Sequence, residues 1–155
     1  MDPDQVALLN AASDYYDKLE FDKALDCVNK VLKQDKTNIL ARNQKASILI
    51  ESWMGEESEI GRVKEAISHL KILCDSDPRN KAVYCYNLGN AFNKIAGCQI
   101  SKNKGALNES IIRDLETAKD CYQESLEINA NQPHVWINKG NVLNNLGRYF
   151  ESIEC

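Results

Sequence analysis

The sequence predicts an all-α chain: antiparallel helix pairs stacked as a solenoid, with insertions in two of the hairpins. Three observations carry that reading. Small residues recur at a fixed period, apolar stripes with helical spacing run between them, and short polar turns separate the stripes. The interval from Ala12 to Ala46 recurs unchanged from Ala118 to Ser152. Within a pair, the shorter interval from Ala12 to Ala24 recurs from Gly140 to Ser152. The return legs agree: Ala24 to Ala46 equals Ala118 to Gly140, and Ala66 to Gly89 is one position longer. Self-similarity at a fixed period of this length is the mark of a repeat architecture.

Taken in order, the legs read as helices. Leu8, Ala11, Ala12 and Tyr15 form an i, i+3, i+4, i+7 stripe, and Ala24, Val28, Val31 and Leu32 form the next. Lys18-Leu19-Glu20-Phe21 is the turn between them. Ala46 to Ala66 is longer than the matching interval from Ala12 to Ala24, so the second pair holds an insertion around 54–61, acidic and flanked by glycines. Ala66, Leu70 and Leu73 follow, and Asp77-Pro78 stops the leg, because proline has no N–H and disfavours helix at the residue before it. Gly89 to Ala118 exceeds the same interval by still more, so a second insertion spans roughly 94–114. It holds a polar loop at 101–105, then Asn108 as an N-cap with Glu109 in the favourable first turn. Ile111, Ile112, Leu115, Ala118 and Tyr122 make one stripe, so the helix after the loop starts early and runs long, and Ile95 lengthens the helix before it. A single pair cannot bury its stripes, and stacking does that.

Composition excludes several functions. With 19 basic against 23 acidic residues the net charge is −4, against the basic face of a nucleic-acid binder. No apolar run approaches the roughly 20 residues that span a bilayer. The start, MDPDQ, has no signal-peptide pattern, and a cytoplasmic protein is expected. The six cysteines are widely spaced without C-x-x-C and sit in helical patterns, so they read as structural thiols. His69 and His134 lie far apart and away from any cysteine pair, so no metal is expected. No phosphate-binding loop, dinucleotide fingerprint or nucleophile elbow is present, so neither a cofactor nor catalysis is expected.

Asn87-Leu88-Gly89-Asn90-Ala91-Phe92 and Trp136-Ile137-Asn138-Lys139-Gly140-Asn141 resemble first helices of tetratricopeptide repeats. Leu146-Gly147-Arg148-Tyr149-Phe150-Glu151-Ser152 resembles that family's turn and second-helix start, and Ala118, Tyr122, Ser125 and Leu126 its second-helix pattern. The resemblance implies a right-handed superhelix and places repeats at about 5–38, 39–81 and 82–132, with a partial one at 133–155, in a single domain. A second helix that stops at Cys155 leads us to expect the N-terminal fragment of a longer protein. The fold carries many functions, so it implies architecture more strongly than activity.

The family's first helices line a concave groove that holds extended peptides or helices. Carried over, the inward-facing positions are Asn43 and Ser47 in the second repeat, and Tyr86, Asn90, Asn93 and Lys94 in the third. In the fourth they are His134, Ile137, Asn141, Asn144 and Asn145, with Asn87 and Asn138 flanking. Each asparagine offers a donor and an acceptor on a short side chain, so a row of them can grip a peptide main chain. The same amides can instead bond neighbouring helices. The carboxylate clamp of the family's co-chaperones implies Lys and Asn on one first helix, Asn on the next, and Lys and Arg on the third. The first three repeats offer Leu9 and Ser13, Gln44, and Val83 and Asn87, and the last three offer Asn43 and Ser47, Asn87, and His134 and Asn138. The cations are missing in both frames, so chaperone-tail recognition is not expected. The leading expectation is a non-catalytic scaffold for an unidentified protein or peptide partner. The alternatives are a self-assembly module, joined through the incomplete last repeat, and the recognition domain of a larger enzyme.

Overall fold

In the computed structural model the described residues are 2–56 and 59–153, the side chains of 148–153 excepted. Among them there are seven α-helices and no strand: α1 (Pro3–Asp17), α2 (Phe21–Gln34), α3 (Ile39–Ser52), α4 (Ile60–Ser76), α5 (Lys81–Lys102), α6 (Glu109–Ile128) and α7 (Pro133–Ile153). They fall into two compact units, Met1–Asp77 and Pro78–Cys155.

In the first unit each boundary has a local cause. Pro3 opens α1 behind Asp2, whose side chain accepts from the Asp4 N–H. Between α1 and α2 the chain turns in three residues, with Leu19 at φ 60° in the left-handed region. Asn38 caps α3 by accepting from the Ala41 N–H at 3.0 Å, and Asp35 braces the preceding turn by accepting from Thr37 N and Oγ1. The core joins Leu9 and Ala12 of α1 to Ala24, Cys27, Val28 and Val31 of α2 and Ala41 and Ile48 of α3. Ala12, Ala24, Ala46 and Ala66 are all buried, as their period requires. The first insertion is the segment between α3 and α4. Trp53 there is buried and donates its Nε1–H to the Glu56 carbonyl at 2.9 Å. Glu57 and Ser58 lie outside the described residues.

The second unit opens with a 3-10 turn at Pro78–Asn80, where Asp77-Pro78 predicts a break. Both helices of its hairpin are long, 22 residues in α5 and 20 in α6, against 15 and 14 in α1 and α2. Gly105, at φ 88°, closes the end of α5, and Asn108 caps α6 by accepting from Ile111 N–H at 2.9 Å. The α6–α7 corner is a polar knot. Buried Ser125 donates to the Ala82 carbonyl, and the buried Gln132 amide donates to Ser125 O, Ser125 Oγ and Asn129 O. The core runs through Ile111, Leu115, Ala118, Tyr122 and Leu126 of α6 to Val135, Val142 and Leu146 of α7.

Gly89 shows why the period is made of small residues. A Cβ built there would lie 2.5 Å from the Tyr122 ring, so only hydrogen fits between α5 and α6. Gly140 differs. It is exposed, and a Cβ there would meet nothing within 4 Å. The reason is that α7 runs unbroken through Gly147, where the sequence predicts a turn. Helix covers 149–153, with no statement of its side chains, and Cys155 lies outside the described residues.

One charged cluster ties α3 to α4. Lys45 Nζ lies 2.8 Å from Glu65 Oε1, which is 3.6 Å from His69 Nε2. His69 Nδ1 is buried without a hydrogen-bond partner among the described residues. Burial, then the Lys45 charge, holds the imidazole below its ordinary value of 6.5, and Glu65 only partly opposes this. Lys45 also holds the Glu65 carboxyl below its ordinary value.

Two outcomes follow from this packing. Gly89→Ala is expected to destabilise the chain by about 1–3 kcal/mol, read as a lower urea midpoint at unchanged slope, because the added methyl meets a buried ring. For His69, the unfolded imidazole takes up its proton before the folded one as pH falls. Stability is therefore expected to decline below about pH 6.5, and His69→Gln to flatten the decline of the urea midpoint between about pH 7.5 and pH 5.

Candidate functional site

Within the first unit α1 lies beside α3, and within the second α5 lies beside α7, and each pair carries a group of the polar residues expected to line a groove. In the first unit Asn43 and Ser47 of α3, both half-buried, line a cavity of about 210 Å³ with Ser13 and Tyr16 of α1. Ala12, Gln44 and Ile48 complete its wall. That volume suits one side chain rather than a drug-sized ligand, which needs roughly 300–1,000 Å³. Gln44 spends both amide hydrogens on α1, donating to the Leu9 carbonyl at 3.2 Å and Ser13 Oγ at 2.8 Å. Its Oε1 is buried without a donor among the described residues, a cost that a donor brought into the cavity would relieve. With its N–H groups committed, Gln44 does not offer a carboxylate the donors of a clamp.

In the second unit α5 and α7 meet in register, Tyr86 beside His134 and Asn90 beside Asn138. Tyr86 packs edge-on against His134, with ring centres 4.8 Å apart. One turn along, Asn138 Nδ2 donates to Asn90 Oδ1 at 3.1 Å. The same Asn90 oxygen accepts from Tyr122 OH of α6 at 2.8 Å, so one amide joins three helices. The next rung in this register is Asn93 and Asn141. Burial pushes the Tyr122 phenol far up, reinforced by Tyr86 and partly offset by Asn93 and Asn138. It therefore remains a protonated donor throughout the physiological range.

The expected residues thus divide by role. Asn90 and Asn138 are committed to holding helices together. Asn87, Asn93 and Lys94 are half-buried on α5, while His134, Ile137, Asn141 and Asn144 are exposed on α7. Tyr16 of the cavity was not among the expected groove residues. Ser13, a position of the carboxylate clamp, also lines the cavity, where the repeat period places it as the counterpart of Ser47. Among the described residues no group of three or more His, Cys, Asp or Glu side chains could hold a metal. None of the five described cysteines is in a disulfide. No helix formed by the described residues is long and apolar enough to cross a membrane.

Two long helices pinned by a buried aromatic over a glycine, followed by a proline-led helix, are the arrangement of a helical-repeat protein. Residues 121–154 match the family model described as tetratricopeptide repeat, a span that takes in the last two turns of α6, the Gln132 corner and α7. The match supports a tetratricopeptide-repeat family protein, and the all-α fold agrees with it. No curated protein matches the chain significantly.

The Asn90 junction has a measurable signature. Asn90→Ala and Tyr122→Phe are each expected to cost about 1–2 kcal/mol. In the double variant the losses are expected to fall short of their sum by at least about 0.5 kcal/mol, because both remove one hydrogen bond. Urea unfolding of the four proteins checks this.

Proposed function

We propose that the chain is a non-catalytic scaffold that holds an extended peptide segment along the polar face of its first helices. A tetratricopeptide repeat suggests protein–protein interaction, and the finer reading rests on one observation: the cavity between α1 and α3 is rimmed by Ser13, Asn43 and Ser47. A rim of short hydroxyl and amide side chains suits a peptide main chain, and the cavity suits one of its side chains. In the second unit Asn93, Asn141 and Asn144 take the corresponding part, with Tyr86 and His134 offering ring surfaces and Lys94 and Asn87 flanking. Asn90 and Asn138 serve it indirectly, by fixing the helices that carry the others. The repeats, at about 5–38, 39–81, 82–132 and from 133, act as one binding domain. The partner is a protein or peptide, and the work is done in the cytoplasm without a cofactor.

The test is a random-peptide display selection on the full chain, followed by fluorescence anisotropy of selected peptides. Asn141→Ala with Asn144→Ala is expected to weaken binding on the order of ten-fold. Each lost hydrogen bond contributes about 0.5–1.5 kcal/mol. The unfolding midpoint is expected to stay at the wild-type value, because both side chains are exposed. Asn43→Ala with Ser47→Ala is expected to weaken the same peptides. Affinity unchanged in both double variants would remove the groove reading.

A further inference from the structure

We propose that the cavity between α1 and α3 selects an uncharged tyrosine on the bound segment, whose hydroxyl takes Gln44 Oε1 as its acceptor. The proposal rests on the groove reading above and names the side chain that the groove selects. Three properties of the cavity carry it: an acceptor without a donor, a size that fits one aromatic ring, and walls without charge. Both helices that wall it are described over their whole length, with the second helix of each pair, α2 and α4, in place.

Gln44 lines the cavity, and its Oε1 is buried without a donor among the described residues. An acceptor left in that state costs free energy that an incoming donor recovers. The second unit shows which donor such a place holds. Ser13 and Gln44 stand at the offsets from Ala12 and Ala46 that Asn90 and Asn138 have from Gly89 and Gly140. Each pair is hydrogen-bonded in the same sense, Gln44 donating to Ser13 Oγ at 2.8 Å and Asn138 to Asn90 Oδ1 at 3.1 Å. In the second unit a phenol completes the group, Tyr122 OH donating to the same Asn90 oxygen. At the place of Tyr122 the first unit has Val28, fully buried and without a hydroxyl. The first unit therefore keeps the pair and lacks the phenol. A ligand's ring enters from the α1–α3 face rather than from a second helix, so the likeness lies in the hydroxyl and the pair it joins.

Size and charge narrow the ligand further. The cavity holds about 210 Å³, more than the roughly 150 Å³ that admits a benzene ring. Ala12, Ile48 and Tyr16 give such a ring apolar surface. None of the described lining residues is charged, so a lysine, an arginine or a phosphotyrosine would enter without a counter-ion. Phenylalanine fits but leaves Gln44 Oε1 without its donor. In tyrosine the donor lies at the end of the ring farthest from the main chain, where it reaches a wall while the peptide stays at the rim. An indole carries its N–H on the side of the ring instead.

Side-chain analogues test this on the full chain: p-cresol for tyrosine, toluene for phenylalanine and p-tolyl phosphate for phosphotyrosine. Each is titrated while the amide NMR shifts of Ser13, Gln44 and Ser47 are followed. Saturable shifts are expected with p-cresol, binding at least about five-fold weaker with toluene, and no shift with the phosphate. A merely apolar hole ranks the first two the other way, because toluene leaves water more readily than p-cresol. Gln44→Met removes the acceptor at similar size and is expected to put toluene before p-cresol. The comparison on the unaltered chain decides the matter whether or not that variant folds. Toluene binding as tightly as p-cresol overturns the proposal, as do p-cresol shifts confined to residues outside the cavity, or a folded Gln44→Met variant that keeps the preference. Peptide selection separates this outcome from the groove. Peptides that lose affinity in the Asn43→Ala, Ser47→Ala variant but show no enrichment of tyrosine overturn the tyrosine and leave the groove standing. No binding peptide beside an intact p-cresol preference overturns the groove and makes a free small phenol the ligand.

Discussion

The close approach of paired helices at small side chains is the constraint from which the rest of the structure follows. The Tyr122 ring lies against the α-carbon of Gly89, and this contact sets the distance between α5 and α6. With that distance set, the Tyr122 hydroxyl reaches Asn90, and Asn90 reaches Asn138 on α7. The chain thus uses one aromatic side chain twice. Its ring fills the core, where dispersion and burial act without direction. Its hydroxyl fixes a register, because a buried donor must find its acceptor at one place. A leucine in that position could fill the same space but would remove the hydroxyl's hydrogen bond to Asn90.

Most of the fold is legible in the sequence because its signals are local. Caps at Asn108 and the stop at Asp77-Pro78 act within a turn of themselves, and the stripes repeat over several turns. The two insertions show as interruptions of an otherwise constant spacing, and both lie in the connections between paired helices. Leu19 is a subtler case. It occupies the turn position that Gly147 holds at the end of the chain, yet it takes φ 60° where a β-carbon is unfavourable. The packing of α1 on α2 on either side compels it. Conversely, Gly147 is the better turn residue, yet α7 runs unbroken through it. Turn chemistry therefore permits a hairpin, and tertiary burial decides whether one forms.

The candidate site is less legible, for a physical reason. An asparagine on an inner face can serve a ligand or a neighbouring helix, and spacing is the same for both. Asn90 and Asn141 occupy equivalent places in their helices, and the sequence treats them alike. What separates them is Tyr122 on the following helix, whose hydroxyl commits the Asn90 amide to the core. Asn141 has no second helix of its own repeat folded against it among the described residues, and stays exposed. The cavity beside Asn43 likewise depends on Ser13 and Tyr16, which lie a repeat earlier and are matched to it only through the period.

Gly89 and Gly140 join these lines of argument. They hold the same place in the repeat, and a glycine inside a helix is unfavourable unless something occupies the space it leaves. At Gly89 the occupant is Tyr122, in the same chain. At Gly140 the same notch stands open. The rule that explains the first glycine therefore bears on the second: the space is shaped for a side chain carried on another helix.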